Sequence, residues 1–181
     1  ISKMGIKLSV DDFGTGYSTL KQLQQLPVQE LKIDRSFVLG ILDNHGSETI
    51  VRSTIDLARH MGLRVAVNVS TVQFDQVDWN RTVARALDSA RLQASGLELE
   101  ITEATALRDA DSAKSTLQRL KQLGVSLSLD DFGVGYSSMG QLKRLAVDRI
   151  KIDRSFVQGA LLDRKDDAIA ASMVGLGASL G

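Results

Sequence analysis

The feature that most constrains this chain is an internal repeat. Residues 1–62 align without a gap with residues 120–181, and about 27 of the 62 aligned positions are identical. Asp11-Asp12-Phe13-Gly14 returns as Asp130-Asp131-Phe132-Gly133, and Lys32–Val38 returns as Lys151–Val157. The chain therefore holds one and a half copies of a unit of about 119 residues, which implies two homologous sources or one old duplication.

The composition is ordinary for a globular protein and excludes several classes of site. A hydrophobic content of 43% over 181 residues predicts a single domain covering 1–181. Basic and acidic residues balance at 22 each, so no bulk field attracts a nucleic acid polymer or an anionic membrane. The chain has no cysteine, which excludes disulfides and thiolate zinc sites and fits a cytoplasmic location. No apolar run approaches the roughly 18 residues of a membrane span.

Short runs rich in β-branched residues alternate with segments of helical period. This alternation predicts six successive βα units with a parallel sheet, and continuous repetition favours a TIM-like (βα) barrel or partial barrel over a doubly wound sheet. The predicted strands are Ile6–Val10, Leu31–Ile33, Leu63–Val69, Leu97–Ile101, Val125–Leu129 and Arg149–Ile152. The longer helices are predicted at Ser47–Met61, Val77–Ala90 and Asp109–Leu123, with a shorter one at Gln22–Leu26.

Acidic residues occur where these strands end. Carboxylates at the C-terminal ends of parallel strands converge on the face where barrel enzymes hold their active sites. Oxygen ligands without histidine or cysteine favour Mg²⁺ or Mn²⁺ over zinc, and a nearby Lys32 or Lys151 could orient a metal-bound water. The acids are Asp11, Asp12, Asp34, Glu100, Glu103, Asp130, Asp131 and Asp153, joined by Asn68.

Each of these residues also has a purely structural interpretation. An Asp before Phe-Gly can accept backbone hydrogen bonds in a turn, and a lysine at a strand end is usually solvated. Glu98 alternates with Leu97 and Leu99, so we expect its side chain at the surface. Spacing alone leaves the turn and the metal interpretations open.

Four motifs together resemble strands three to six of the EAL domain, a family of (βα)8-barrel phosphodiesterases that linearise cyclic di-GMP with two Mg²⁺ or Mn²⁺ ions. The resemblance covers essentially the whole chain. The motifs are Val67-Asn68-Val69-Ser70, Leu97-Glu98-Leu99-Glu100-Ile101-Thr102-Glu103, Leu129-Asp130-Asp131-Phe132-Gly133-Val134-Gly135-Tyr136-Ser137-Ser138 and Ile150-Lys151-Ile152-Asp153-Arg154-Ser155-Phe156-Val157.

The resemblance implies a role for each matching residue. Asn68, Glu100 and Asp130 would bind the first metal ion, and Asp130 with Asp131 the second. Lys151 would contact the attacking water, and Glu103 would anchor the loop after Asp131. The first repeat resembles strands five and six again, so Asp11, Asp12 and Lys32 carry a second copy of these motif identities.

The chain also departs from the family pattern. It lacks the Glu-Ala-Leu motif of the first strand and the Glu-Gly-Val-Glu segment of the seventh, so its strand order reads five, six, three, four, five, six. In a barrel, the side chains of odd-numbered and even-numbered strands fill alternate layers of the interior. A sixth strand followed by a third keeps this alternation of even and odd strands. The order resembles a recombined or engineered half-barrel chimera, or a fragment.

Two functions follow from these departures. The first is a structural, EAL-derived chimera with an incomplete, weak metal site and little or no phosphodiesterase activity. The alternative is an active Mg²⁺- or Mn²⁺-dependent cyclic di-GMP phosphodiesterase in which Asp11 replaces the missing glutamate. Six strands also leave an edge strand that can pair with another chain, so self-association or strand exchange is expected. The resemblance makes cyclic di-GMP the candidate small-molecule partner.

Overall fold

The computed structural model describes residues 8–13, 23, 26–34, 36–37, 45–134, 139–142, 145–160 and 163–180. Contacts divide the chain into two compact units, each taken by itself below. The first unit comprises Ile1–Val69 and Arg81–Leu99, and the second comprises Ser70–Asn80 and Glu100–Gly181. The first unit contains the first repeat copy and the second unit contains the second copy. A single domain over 1–181 stays a prediction.

Six strands form one sheet in chain order, and the register pairs β1–β2, β2–β3 and β5–β6 run parallel. This confirms the predicted parallel sheet of βα units. The strands are β1 (Ser9–Phe13), β2 (Glu30–Ile33), β3 (Arg64–Val69), β4 (Leu97–Thr102), β5 (Ser126–Phe132) and β6 (Arg149–Ile152).

Helices follow the strands along the chain, as the alternating pattern predicts. Within the described residues they are α1 (His45–Met61), α2 (Thr71–Phe74), α3 (Trp79–Ala90), α4 (Glu103–Arg108), α5 (Ala110–Leu123), α6 (Met139–Leu142), α7 (Arg154–Ala160) and α8 (Arg164–Leu180). The helix predicted at Gln22–Leu26 lies mostly outside the described residues. Among the residues described, no helix is long and apolar enough to cross a membrane.

The repeat extends from sequence to local hydrogen bonding. The backbone N–H of Leu8 donates to Gln29 Oε1 at 2.8 Å, and its counterpart Leu127 donates to Asp148 Oδ2 at 2.8 Å. The backbone N–H of Ser36 donates to Asp34 at 2.8 Å, and that of Ser155 donates to Asp153 at the same distance. These described counterparts therefore form the same local hydrogen bonds in the two units.

Both copies carry their strand three residues further than predicted. β1 and β5 each include the Asp-Asp-Phe motif, and the register of each with its neighbour shifts across that motif. Asp131 has a left-handed backbone with φ of 53°. Such an irregularity redirects side chains at the end of a strand, so the paired acids lie within the strand rather than after it.

The prediction that Glu98 lies at the surface is wrong. Its exposure is 1%, and its Oε2 lies 3.3 Å from Arg64 Nη1. Arg64 also contacts Glu30, with 2.9 Å between Nη2 and Oε2. All but one residue of β4 is buried, as is usual for a parallel strand that is covered on both faces. The alternation of glutamate and leucine in this strand therefore does not indicate that one face is exposed to solvent.

Candidate functional site

The second unit joins two of the predicted site residues directly. Lys151 on β6 forms an ion pair and hydrogen bond with Glu100 on β4. The Glu100 side chain is 0% exposed and that of Lys151 is 30% exposed. Side chains from alternate strands occupy the same layer of a βα sheet, which explains how β4 and β6 meet across β5. A buried carboxylate requires such a partner, because desolvating an unpaired charge is very costly.

Glu103 fixes the loop that follows β5. It is the first residue of α4 and is buried, with 2% exposure, and the Thr102 side chain caps this helix. Its Oε2 accepts a hydrogen bond from the backbone N–H of Gly133 at 2.8 Å. Glu103 therefore holds the backbone of the loop at Gly133, and the role that the resemblance implies for Glu103 stays a prediction.

Gly133 itself has no room for a side chain. Its φ of 100° lies in the left-handed region, where a Cβ is strained. A Cβ there would also collide with Met173 and would lie 3.0 Å from Phe156 Cε2. The sequence contained a signal for this contact, because a glycine follows Asp-Asp-Phe in both copies. Only the structure shows that Met173 and Phe156 lie beside this glycine.

Asp130 and Asp131 occupy the end of β5 and differ in exposure. Asp130 is half-buried, whereas Asp131 is exposed. Glu100, Glu103, Asp130, Asp131 and Lys151 all belong to the second unit. Their carboxylate oxygens and the lysine ammonium match the chemistry of a site for a hard cation beside a phosphate.

The first copy pairs its motif residues differently. Lys32 Nζ on β2 lies 3.6 Å from Asp11 Oδ1 on β1, and the Asp11 side chain is 65% exposed. The side chain of Asp12 lies outside what the structure describes. Asn68, the fifth residue of β3, is half-buried and also belongs to the first unit.

The predicted metal ligands have suitable donor atoms but do not form a compact cluster of their own. Across the described stretches of the chain, no three histidine, cysteine, aspartate or glutamate side chains gather closely enough to hold an ion. Glu100 is instead paired with Lys151, a cation that neutralises the buried carboxylate. The donor atoms suit Mg²⁺ or Mn²⁺ by type, but the described side chains are not gathered into a coordination site, and the ligand set stays a prediction.

Asp153, which follows β6, has a structural partner. The Ser155 hydroxyl and the Ser155 backbone N–H both donate to Asp153 Oδ1. The Ser155 hydroxyl is the largest cause that lowers the pKa of Asp153 below its ordinary value of 3.8. This carboxylate acts at the beginning of α7, so its charge stabilises a helix start.

Comparison with known families gives one result for both parts of the repeat. The model of the EAL domain family matches residues 1–66 and again residues 60–181. The two matches meet where the sequence changes from the sixth-strand pattern to the third-strand pattern. Together they cover the whole chain.

Two relatives from Pseudomonas aeruginosa match most of the chain. The bifunctional diguanylate cyclase/cyclic di-GMP phosphodiesterase MucR is 44% identical over 121 residues, which are 67% of this chain and 18% of MucR. The cyclic di-GMP phosphodiesterase NbdA is 41% identical over 127 residues, which are 70% of this chain and 16% of NbdA. The chain thus spans less than a fifth of the length of either relative.

Solved structures give the same fold. A PaMucR phosphodiesterase in complex with c-di-GMP is 37% identical with a TM-score of 0.66, and the match covers 82% of this chain and 64% of that one. The EAL domain of Mycobacterium smegmatis DcpA is 33% identical with a TM-score of 0.64, covering 73% and 62%. These likenesses confirm the predicted TIM-like βα fold class.

Proposed function

Because the chain belongs to the EAL domain family, we propose that it carries out the hydrolytic chemistry of that family on cyclic di-GMP, at a reduced rate. The observation that carries this proposal is the buried contact between Lys151 and Glu100 in the second unit. Burying this carboxylate costs desolvation energy, which can offset the attraction between the two charges. A contribution to the stability of the fold therefore does not by itself account for this ion pair. Such an arrangement is typical of a site with a chemical role.

Lys151 is the residue proposed to act on the attacking water. Its ammonium group carries donors only, so it can hold a water oxygen and stabilise negative charge that develops on a phosphate. Glu100 fixes the position of that ammonium group. Glu103 holds the loop after β5 through the Gly133 N–H, which supports an anchoring role for Glu103 in this proposal.

We propose Asn68, Glu100, Asp130 and Asp131 as ligands of Mg²⁺ or Mn²⁺. When bound, such an ion would polarise the phosphate and lower the pKa of a coordinated water. Glu100, Asp130 and Asp131 belong to one unit, whereas the assignment of Asn68 depends on the sequence resemblance alone. The missing first-strand and seventh-strand carboxylates are the reason to expect a weak site.

The second candidate function is a structural, EAL-derived scaffold without turnover. It is favoured by the position of Asp11, which would have to replace the missing first-strand glutamate. Its carboxylate is one methylene shorter, is largely exposed and lies 3.6 Å from Lys32. These contacts support a surface ion pair at this position more directly than a metal ligand.

Hydrolysis of cyclic di-GMP distinguishes the two candidates. Excess protein is incubated with the nucleotide and Mn²⁺, and the linear product is separated by chromatography. We expect slow turnover that Lys151→Ala abolishes and that Lys32→Ala, the same substitution in the other copy, leaves unchanged. Nucleotide that stays intact with the unsubstituted protein would favour the scaffold, and loss of turnover in both variants would contradict the assignment to the second copy.

A further inference from the structure

Helices and one loop of the second unit enclose a cavity of about 490 Å³. The lining comes from the end of α2 and the loop after it, from α4 and from α5, and lies between Phe74 and Arg119 in the chain. Its volume is within the range of roughly 300–1,000 Å³ that small-molecule sites occupy in proteins. The cavity therefore has the size of a ligand site, and none of the candidate site residues described above lines it.

Specific contacts hold the walls of this cavity together. Thr71 Oγ1 of α2 lies 2.8 Å from Thr105 Oγ1 of α4, which joins the two helices by a hydrogen bond. Asp75, in the loop after α2, forms an ion pair with Arg108 at the end of α4. The backbone N–H of Asp75 also donates to the Thr71 carbonyl at 3.1 Å. The walls are therefore positioned by the fold itself, and a preformed site lowers the cost of ordering that binding requires.

One positive charge in the lining is not neutralised by the residues that the structure describes. The charges of Asp75 and Arg108 balance each other in their ion pair. Asp109 Oδ1 accepts a hydrogen bond from the backbone N–H of Ser112 at 3.1 Å and so caps α5. Arg119 also lines the cavity, and within the described part of the chain it forms no ion pair. The guanidinium group of Arg119 therefore favours an anionic group in the cavity.

Hydroxyl groups on the same face of α5 extend this anionic site. Four lining residues follow the i, i+3, i+4, i+7 spacing that places side chains on one helical face. They are Ser112, Ser115, Thr116 and Arg119. All four side chains can donate hydrogen bonds, and a guanidinium group matches the geometry of phosphate oxygens. At a rise of about 1.5 Å per residue the row is roughly 10 Å long, which is longer than a single phosphate ion. The row therefore fits a phosphate group that carries a polar organic part.

We propose that this cavity binds a small organic phosphate monoester, with the phosphate at Arg119 and the polar remainder along the hydroxyl groups of α5. A phosphate offers three acceptor oxygens, so it can accept hydrogen bonds from the guanidinium group and from hydroxyl groups at once. A carboxylate has two oxygens and uses fewer of these donors. This inference is independent of the proposed hydrolysis, because it uses none of the residues proposed for that reaction.

The test uses the full chain and α-glycerophosphate as the probe, with inorganic phosphate and glycerol for comparison. NMR of isotope-labelled protein follows the backbone amide signals during each titration and so reports both the affinity and the place of binding. We expect α-glycerophosphate to shift the amide signals of residues 112–119, and to bind more tightly than either inorganic phosphate or glycerol. Equal affinities for α-glycerophosphate and inorganic phosphate would indicate an adventitious anion only and would overturn the proposal, as would shifts that leave residues 112–119 unaffected.

Two matched pairs of substitutions on α5 test the assignment of the residues. Arg119→Gln should weaken the binding of α-glycerophosphate about 5-fold, the effect of losing one exposed ion pair. Lys114→Gln removes the same charge from the same helix outside the lining and should leave the affinity unchanged. Ser115→Trp places a large side chain in the cavity and should abolish binding, whereas Gln118→Trp, at an exposed position outside the lining, should not. Equal affinities within the pair of glutamine variants would overturn the proposal even if a tryptophan variant failed to fold.

Discussion

At the residue scale, the Gly133 position connects loop conformation with the candidate site. Its N–H donates to the buried Glu103 carboxylate at 2.8 Å, and a Cβ added to it would meet Met173 of α8 and Phe156 of α7. The loop after β5 is therefore held by a hydrogen bond to Glu103 and by close contact with Met173 and Phe156. Any side chain at this glycine would disturb both contacts.

We predict that Gly133→Ala destabilises the protein more than Gly62→Ala. Both glycines have positive φ, which costs an alanine roughly 1–2 kcal/mol. Gly62 has open space for a Cβ, whereas Gly133 faces Met173 and Phe156, so overpacking should add about 1–3 kcal/mol. Urea denaturation of the two variants measures the difference. Partial recovery by Met173→Ala in the Gly133→Ala background is expected, and equal losses for the two alanine variants would show that packing contributes nothing.

Divalent metal binding is predicted to depend on the second copy of the Asp-Asp motif. Asp130 is half-buried on the strand between β4 and β6, which carry the paired Glu100 and Lys151. Calorimetry with Mn²⁺ should therefore show weak binding that Asp130→Asn removes. Asp11→Asn, the same change in the first copy, serves as the control and should leave the heat unchanged. Equal heats for Asp130→Asn and the unsubstituted protein would exclude Asp130 as a ligand.

At the element scale, both copies have an aspartate followed two residues later by a serine, and in the second copy this pair stands at the beginning of α7. The same pair of donors reaches Asp34 and Asp153. A side-chain acceptor at this position satisfies backbone N–H groups that have no partner within the helix. The start of α7 therefore has a cap that residues next to it in the sequence supply.

The beginning of α7 should lose stability in acid. The pKa of Asp153 is below 3.8 in the folded chain, so the ionised carboxylate stabilises the native state above the ordinary value. This contribution is lost as pH falls from 3.8 through the lower folded pKa. NMR titration should show that Ser155→Ala raises the pKa of Asp153 toward 3.8, and that Ser36→Ala leaves it unchanged. An unaltered titration in Ser155→Ala would mean that the hydroxyl is not the cause.

At the scale of the whole molecule, the open edge of β1 is the expected place of self-association. In the described sheet β1 is bonded to β2 alone, and an edge strand with unpaired backbone groups invites another chain. An isologous contact between two β1 strands would bury both edges at once.

Light scattering at micromolar concentration should therefore give a mass above 19.6 kDa. Ser9→Lys places a charge on the exposed first residue of β1 and should reduce that mass. Arg149→Glu, at the other edge, is the control and should leave it unchanged. A folded species of 19.6 kDa at all concentrations would contradict the prediction of assembly.

The sequence by itself determined the repeat, the six strands, the long helices and the family. These follow from local periodicity and from motifs that are contiguous in the chain, such as the run from Leu129 to Gly133. The resemblance of its motifs also named Lys151 and Glu103 as candidate catalytic residues and Asn68, Glu100, Asp130 and Asp131 as candidate metal ligands, and these roles stay predictions. Most predicted element boundaries differ from the observed ones by a few residues or fewer, and the largest shifts are the extensions of β1 and β5 through Asp-Asp-Phe.

Only the tertiary structure decided which charges meet. Glu98 alternates with leucines as a surface residue would, yet it is buried because a parallel strand is covered on both faces and Arg64 neutralises it. Lys32 and Lys151 lie in identical motifs, but one contacts an exposed Asp11 and the other a buried Glu100. Equal local sequence gives equal local hydrogen bonds, whereas the partners of a long side chain depend on strands that are distant in the chain.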